Sequence, residues 1–186
     1  PGLALNILEW FERLLYRKSS LVLCQTEGIV DGVEESHPQV ESFLFPNGVD
    51  LDMFFKKEKD KELFEELNLP MDVLIVGYGG NHGRSQGLKQ VLYAAQQLKS
   101  EKIHFAFFGD GPEKKNLEKL AVEMTLTNVW FLSSQPREKM VDIMSLWDVA
   151  LVPLRDLDIF EGARPSKMFE LMAAEVPFVF CGRDRK

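Results

Sequence analysis

Apolar residues follow two alternating rhythms over residues 73–181. Solid apolar-rich runs at 73–76, 103–108, 128–132, 149–154 and 178–181 have the length and composition of strands buried on both faces. Between them, apolar positions recur at helical spacing. The first such set is Leu88, Val91, Leu92, Ala95 and Leu98. The next is Leu117, Leu120, Ala121 and Met124, in a helix opened by Gly111-Pro112, followed by Met140, Ile143, Met144 and Trp147 after Pro136. A fourth helix starts at Pro165 and runs to about Ala174; proline suits the first helical turn. Strands alternating with helices predict a parallel sheet covered on both faces. With right-handed crossovers this is a doubly wound, Rossmann-like α/β sheet, which binds ligands at the carboxyl ends of its strands. The loops after Val76, Phe108, Leu132 and Leu154 are therefore the places to look for chemistry.

Residues 1–70 are organised differently. Leu3, Ile7, Trp10, Phe11, Leu14 and Leu15 mark an amphipathic helix, 21–24 and 43–45 short strands, and 29–35 a helix. Pro46-Asn47-Gly48 predicts a turn, and the charged stretch 58–67 a further helix. This is too little for an independent Rossmann domain. The expected division is 1–55 as the tail of a preceding domain, 56–70 as linker and helix, and 71–186 as the ligand-binding domain. The chain opens on Pro1 and closes on Gly182-Arg183-Asp184-Arg185-Lys186 just after a strand, as expected of a segment cut from a longer polypeptide, with the last domain truncated.

Composition narrows the partners. The formal net charge of −7 argues against nucleic acid, whose phosphates require clustered Lys and Arg. Small anionic ligands need only a local positive site. Cys24 and Cys181 are far apart, with no CxxC and no metal-ligand spacing among His37, His82 and His104. Neither a zinc site nor a disulfide scaffold is expected, and a reducing cytoplasm fits. No apolar run is long enough to span a bilayer. The basic, apolar opening helix suits either packing within a domain or peripheral contact with a membrane.

Two constellations carry candidate chemistry. The loop Gly77-Tyr78-Gly79-Gly80-Asn81-His82-Gly83-Arg84-Ser85-Gln86-Gly87 lies between a strand and a helix. Glycines there let backbone N–H groups approach an anion, to which Arg84 adds a bidentate contact; a flexible turn needing positive φ explains them equally well. The loop is neither a dinucleotide fingerprint, because His82 stands where a glycine is required, nor a P-loop, because Leu88 follows Gly87. The second is Arg164-Pro165-Ser166-Lys167-Met168-Phe169-Glu170, which puts Lys167 and Glu170 on one helix face. They suit a phosphate and sugar hydroxyls respectively, or a surface ion pair. Asp156, Asp158 and Glu161 crowd one loop, which reads as solvated rather than cation-binding.

Four segments in order resemble the retaining glycosyltransferases of family four, which have the two-domain GT-B architecture. They are Pro46-Asn47-Gly48-Val49-Asp50 with Phe54, then Asn81-His82-Gly83 with Gln86-Gly87-Leu88, then Gly109-Asp110-Gly111-Pro112, and finally Pro165-Ser166-Lys167-Met168-Phe169-Glu170 with Met172-Ala173-Ala174. The second and fourth look like a subgroup that acts in cell-surface polysaccharide synthesis. The resemblance implies that 71–186 is the GT-B C-terminal domain, which binds a nucleoside-diphosphate sugar, and that 1–55 belongs to the acceptor-side domain. It puts Gly80, His82, Gly83, Arg84, Ser166 and Lys167 on the diphosphate and Glu170 on the ribose, with no metal and no cofactor. Catalytic residues are not assigned. Two positions depart from the family pattern: Gly162 stands where its first motif glutamate falls, one residue from Glu161, and Gln86 where a lysine is common.

The implied activity is transfer of a hexosyl unit, with retention, to a glycan or lipid-linked acceptor held by the other domain, in the cytoplasm at the inner face of the membrane. A nucleotide-sugar epimerase of the same fold and a non-catalytic nucleotide-sugar-binding module are the alternatives.

Overall fold

The computed structural model describes residues 2–182, which fall into two units. Residues 183–186, which the sequence reading includes in the last domain, lie outside the described residues.

The first unit holds the chain up to Gly48 together with Asp158–Arg164. Helix α1 (Leu3–Lys18) precedes a small crossover unit of β1 (Val22–Cys24), α2 (Glu27–Ser36) and β2 (Ser42–Leu44). The strands pair in parallel with Leu23 opposite Phe43. Helix α2 starts two residues before its apolar pattern because the Thr26 hydroxyl caps it, accepting the Ile29 N–H at 3.3 Å. Cys24, Val33 and Val40 form its core. None of the α1 residues is buried, and Leu3, Leu8 and Trp10 are all exposed. Among the described residues no helix is long and apolar enough to cross a membrane.

The turn expected at Pro46-Asn47-Gly48 is not there; the chain turns at Asp50 instead. The Asp50 carbonyl accepts the Met53 and Phe54 N–H groups, and its carboxylate accepts those of Asp52 and Met53. The Asp50 carboxylate thus closes an Asx-type turn two to three residues on.

The second unit holds Val49–Leu157 and Pro165–Gly182. Its elements are α3 (Lys61–Glu66), β3 (Leu74–Gly79), α4 (Leu88–Gln97), β4 (Ile103–Phe108), α5 (Lys114–Glu123), β5 (Val129–Leu132), α6 (Met140–Ser145), β6 (Val149–Pro153), α7 (Lys167–Ala173) and β7 (Phe178–Cys181). The strands form one parallel sheet, as the sequence pattern predicts, and their order is β5-β4-β3-β6-β7. Successive residues of β3 and β4 serve opposite faces. Ile75, Ala106 and Phe108 join α6, α7 and Trp147, whereas Val76, Tyr78, Phe105 and Phe107 join α4 and α5. Two buried faces explain the solid apolar runs.

Helix boundaries shift where a polar group intervenes. Helix α5 begins at Lys114 rather than at Gly111-Pro112, since the Asp110 carboxylate takes the Gly111 N–H at 2.7 Å and holds a turn there. Pro136 opens a 3₁₀ turn (Arg137–Lys139) that leads into α6. Helix α3 is shorter than 58–67 because the Asp60 side chain caps it, accepting from Glu62 and Leu63. The stretch expected as linker and helix contributes buried Phe64 and Leu69 to the α6–α7 face, beside Phe54. Ion pairs of Lys57 with Asp142 and Lys59 with Asp148 hold it there.

Gly77 owes its identity to packing. A Cβ at this position would fall inside the indole of Trp147, which is itself buried. We expect Gly77→Ala to destabilise the fold by roughly 2 kcal/mol or more, the upper part of the range for overpacking. At this chain size the melting temperature should drop by about 5 °C or more. An unchanged melting temperature would show that Trp147 has room to retreat.

Candidate functional site

In this sheet the chain runs outward from β3 through β4 to β5, then returns to the other side of β3 as β6 and continues to β7. The crevice of such a sheet lies where the direction reverses, beyond the carboxyl ends of β3 and β6. The loop after β3 and the start of α7 are the walls available there.

The β3 loop is pinned to the β4 loop through its backbone. Gly80 N–H donates to the Phe108 carbonyl at 2.9 Å, His82 N–H to Asp110 at 2.8 Å, and Glu113 N–H back to His82 at 2.9 Å. Gly109 has φ of 144°, and a Cβ on it would strike the Gly80 carbonyl. The amides of Gly80 and His82 are therefore already spent, which removes the nest of free N–H groups expected from the glycines.

Three of the expected diphosphate residues fall elsewhere. The ring of His82 is completely buried, with ring centroids 5.8 Å from Tyr78, 6.3 Å from Phe107 and 6.2 Å from Phe131. Neither ring nitrogen has a partner among the described residues. Burial, helped by the Lys114 charge, pushes its pKa down to about 4, so the imidazole is neutral near pH 7. It packs and does not present a cation. Arg84 is 84% exposed and lies 3.4 Å from the Glu113 carboxylate. Arg84 and Gly83 border a separate depression with Lys89, Asn116 and Arg155. They part from the others because the Arg84–Gln86 turn carries the chain away toward α4.

Gly80, Ser166, Lys167 and Glu170 line one cleft of about 430 Å³, together with Asn81, Asp110, Ser134, Gln135, Arg137, Phe54, Met140 and Met144. Lys167 reaches its floor from the first turn of α7. Its ammonium donates to the Gly79 carbonyl at 2.9 Å and sits 4.4 Å from the Tyr78 ring centroid. A Cβ on Gly80 would stand 2.7 Å from the Lys167 nitrogen, so glycine at 80 leaves the space the ammonium uses. Burial lowers the Lys167 pKa to about 8, against the opposing charge of Glu170. Tyr78, whose phenol burial pushes upward, donates to the Asn81 carbonyl at 2.7 Å and steadies the loop. The Met168 and Phe169 N–H groups donate to the Pro165 and Ser166 carbonyls at 3.0 Å, so among the described residues only the Ser166 and Lys167 N–H groups of this turn have no acceptor, and the Ser166 side chain makes no cap.

Glu170 does not pair directly with Lys167. Its Oε1 lies 3.1 Å from Arg137 Nη2, and among the described residues Oε2 accepts no hydrogen bond. The Arg137 guanidinium in turn lies 5.4 Å from the Phe54 ring centroid. Sequence reasoning missed both Arg137 and Phe54. The signal available was Pro136, which opens the turn that swings Arg137 over the cleft. Glu161 belongs to the first unit, and among the described residues no group of His, Cys, Asp or Glu could hold a metal ion.

A doubly wound parallel sheet with a polar, cation-bearing cleft at its switch point has the fold of the GT-B glycosyltransferases. The model of the family "Glycosyl transferases group 1" matches residues 59–181, and the chain belongs to that family. It is 33% identical over 111 residues to WcaI of Escherichia coli (strain K12), which is named as a glycosyl transferase of colanic acid biosynthesis; the match covers 60% of this chain and 27% of WcaI. It is 36% identical over 100 residues to the probable glycosyltransferase WbjE of Pseudomonas aeruginosa, covering 54% of this chain and 25% of WbjE. The match thus spans about a quarter of these relatives. Among solved structures, Anabaena HepE with UDP-glucose superposes with a TM-score of 0.75 at 17% identity, over 91% of this chain and 47% of HepE. Sucrose-phosphate synthase of Thermosynechococcus elongatus gives 0.73 at 21% identity, over 92% and 43%.

The buried imidazole has a thermodynamic consequence. His82 takes up a proton near pH 6.5 when unfolded but only near 4 when folded, so its stability contribution is complete above about 6.5 and is lost as pH falls toward 4. The gap corresponds to roughly 3 kcal/mol. Denaturant unfolding at a series of pH values should show a shallower loss over this window in His82→Leu than in the parent protein. Parallel curves would mean that His82 is hydrated.

Proposed function

We propose that the cleft binds the diphosphate and ribose of a nucleoside-diphosphate sugar. In this reading the whole protein transfers the hexosyl unit, with retention, to a glycan or lipid-linked acceptor in cell-surface polysaccharide synthesis. The observation that carries the reading is Lys167, a largely desolvated cation at the switch point whose one protein acceptor is a neutral carbonyl. A half-buried ammonium so placed has no carboxylate in contact, Glu170 acting on it only at longer range, and an anion in the cleft supplies a counter-charge. The Ser166 and Lys167 N–H groups, which have no acceptor among the described residues, belong to the same wall.

The division of labour follows from position. The Lys167 ammonium and the Ser166 and Lys167 N–H groups meet the diphosphate and offset the charge that builds on it as the sugar departs, without a metal. Glu170 keeps Oε2 for a ribose hydroxyl while Arg137 holds Oε1. HepE, solved with UDP-glucose, and WcaI, named for colanic acid biosynthesis, support this choice of donor and product class. A cytoplasmic protein working at the inner membrane face fits such an acceptor.

The protonation of Lys167 provides the test. Protonated below about pH 8, it attracts the anion, and above that value its charge is lost. The second phosphate ionisation, near pH 6, is already complete. Nucleoside-diphosphate affinity measured by titration calorimetry should therefore fall between pH 7 and pH 9.5. Lys167→Met should weaken binding roughly tenfold or more at pH 7, as expected for loss of a charged hydrogen bond, and should remove the pH dependence. A parent protein whose affinity is flat across this range would rule out Lys167 as the diphosphate cation.

Glu170→Gln separates the ribose contact. Nucleoside-diphosphate affinity should drop by about tenfold, and inorganic pyrophosphate binding should stay unchanged. Equal losses for both ligands would place Glu170 at the phosphates.

A further inference from the structure

A glutamate side chain turns about three torsions, and one that must be ordered by its ligand gives up that freedom on binding, which weakens the contact. Glu170 is already held, by Arg137 Nη2 at 3.1 Å from Oε1. Alone, such a pair is poor support. Arg137 is 60% exposed, and a long exposed arginine loses freedom of its own in holding a carboxylate. Its guanidinium carbon, however, lies 5.4 Å from the centroid of the Phe54 ring. That ring is fully buried, in the same core as Val141, Met144 and Leu171, and the Phe54 N–H donates to the Asp50 carbonyl at 2.9 Å. Leu171 follows Glu170 in α7, so the contacts from Phe54 through Arg137 to Glu170 are anchored in one core at both ends. The middle position suits arginine. Its flat cation lies against an aromatic face and offers a rigid fork to a carboxylate, which an ammonium does not.

We propose that Phe54 and Arg137 are positioning residues for the sugar of the nucleotide. They hold the Glu170 carboxylate in the conformation that accepts the ribose hydroxyls, and so set how strongly the protein prefers a ribonucleotide to its deoxy counterpart. The proposal rests on the ribose contact of Glu170 argued above. Neither residue has to touch the nucleotide for this. Arg137 spends its contact on Oε1, and among the described residues Oε2 is left without a hydrogen bond. The ordering cost of the carboxylate is thereby met in folding and not in binding, and affinity gains by the difference. An ion pair that served stability alone would behave otherwise. Its loss would touch the affinity of ribo- and deoxyribonucleotides alike, or of neither, because nothing would connect it to the hydroxyls.

The readout is a ratio of two affinities, for a nucleoside diphosphate and for its 2′,3′-dideoxy analogue, measured by titration calorimetry on the chain as it stands. Uridine and guanosine diphosphates are both tried, and the tighter one is carried forward with its analogue. The two ligands share base and diphosphate, so a change in fold or in overall charge moves both affinities and leaves the ratio alone. In the parent protein the ratio should be about ten or more, as expected for a hydrogen bond to a charged group. Arg137→Met and Phe54→Leu should each bring it to about three or less. Arg137→Lys keeps the charge but not the flat face against Phe54, and should recover less than half of the loss; full recovery would overturn the part given to Phe54. In a Glu170→Ala background, Arg137→Met should lower the ratio no further, because a positioning residue acts only through the group it positions. A further drop there would overturn the proposal by putting Arg137 on the ribose itself. A parental ratio in Arg137→Met would overturn it as well, and that variant, at an exposed position, decides the matter even where Phe54→Leu does not fold. A parent protein that binds both ligands equally would instead refute the ribose contact of Glu170, and one that binds neither would refute the nucleotide reading; the positioning role falls with either.

Discussion

The close approach of two backbones at the carboxyl end of the sheet is the constraint on which the rest of the second unit depends. Gly109 presses its α-carbon against the Gly80 carbonyl, and Gly80 N–H and His82 N–H complete bonds to the β4 side. This continues the β3–β4 ladder past the last paired strand residues, Gly79 and Phe108. A side chain at 109 would force the loops apart, and one at 80 would meet the Lys167 ammonium at 2.7 Å and the Tyr78 hydroxyl at 3.4 Å. The cleft obtains its cation from the far side of the switch point, from α7.

That arrangement puts polar groups into apolar surroundings, and the structure handles each differently. Asn128, buried just before β5, donates from Nδ2 to the carbonyls of Ala95 and Ile103 and so ties α4 and β4 together, while its Oδ1 has no partner among the described residues. Lys114 likewise spends its ammonium on the Gly109 and Leu132 carbonyls and secures the ends of β4 and β5. His82 is handled by staying neutral among aromatic rings. Lys167 differs from Lys114 in having one carbonyl and an aromatic face instead of two carbonyls, so more of its donor capacity is left over at the cleft. Stability alone does not favour that choice, since burying an uncompensated charge is costly. A site that needs an empty, positively charged seat for an anion does favour it.

The elements of the second unit were legible in the sequence because burial on both faces of a parallel sheet leaves solid apolar runs, and amphipathic helices between them leave a helical period. Helix starts were less so, since Asp60, Asp110 and Thr26 act through one or two side-chain hydrogen bonds each, which hydropathy does not register. The glycines of the β3 loop were legible as glycines but not in their purpose. Gly77 answers to Trp147, and Gly109 to Gly80, both distant in sequence. His82 was misplaced for a related reason. An Asn-His-Gly triplet looks like surface, and only the neighbouring Phe107 and Phe131, from other strands, show that the ring turns inward. Lys167 and Glu170 could be brought to one cleft from sequence because they share a helix face and follow a proline at a strand-end loop. Arg137 could not, because its meaning comes from Phe54, which lies before the sheet begins.

Phe54 ties the earlier stretch of this unit to the cleft. It is buried at the end of the Asp50 turn and supports Arg137 from below. The lysines that follow it, Lys57 and Lys59, pair with Asp142 on α6 and Asp148 before β6. Exposed pairs of this kind add little to stability individually, but here they fix where the stretch crosses the second unit, and so where the Phe54 ring lies. A shift of that ring would release the guanidinium from its backing and loosen the carboxylate that Arg137 holds. The geometry of Glu170, on a helix of the sheet domain, is thereby coupled to a segment that precedes the first strand of the sheet. The cleft is not assembled by the strand-end loops alone: one of its polar clamps hangs on the chain that leads into the domain.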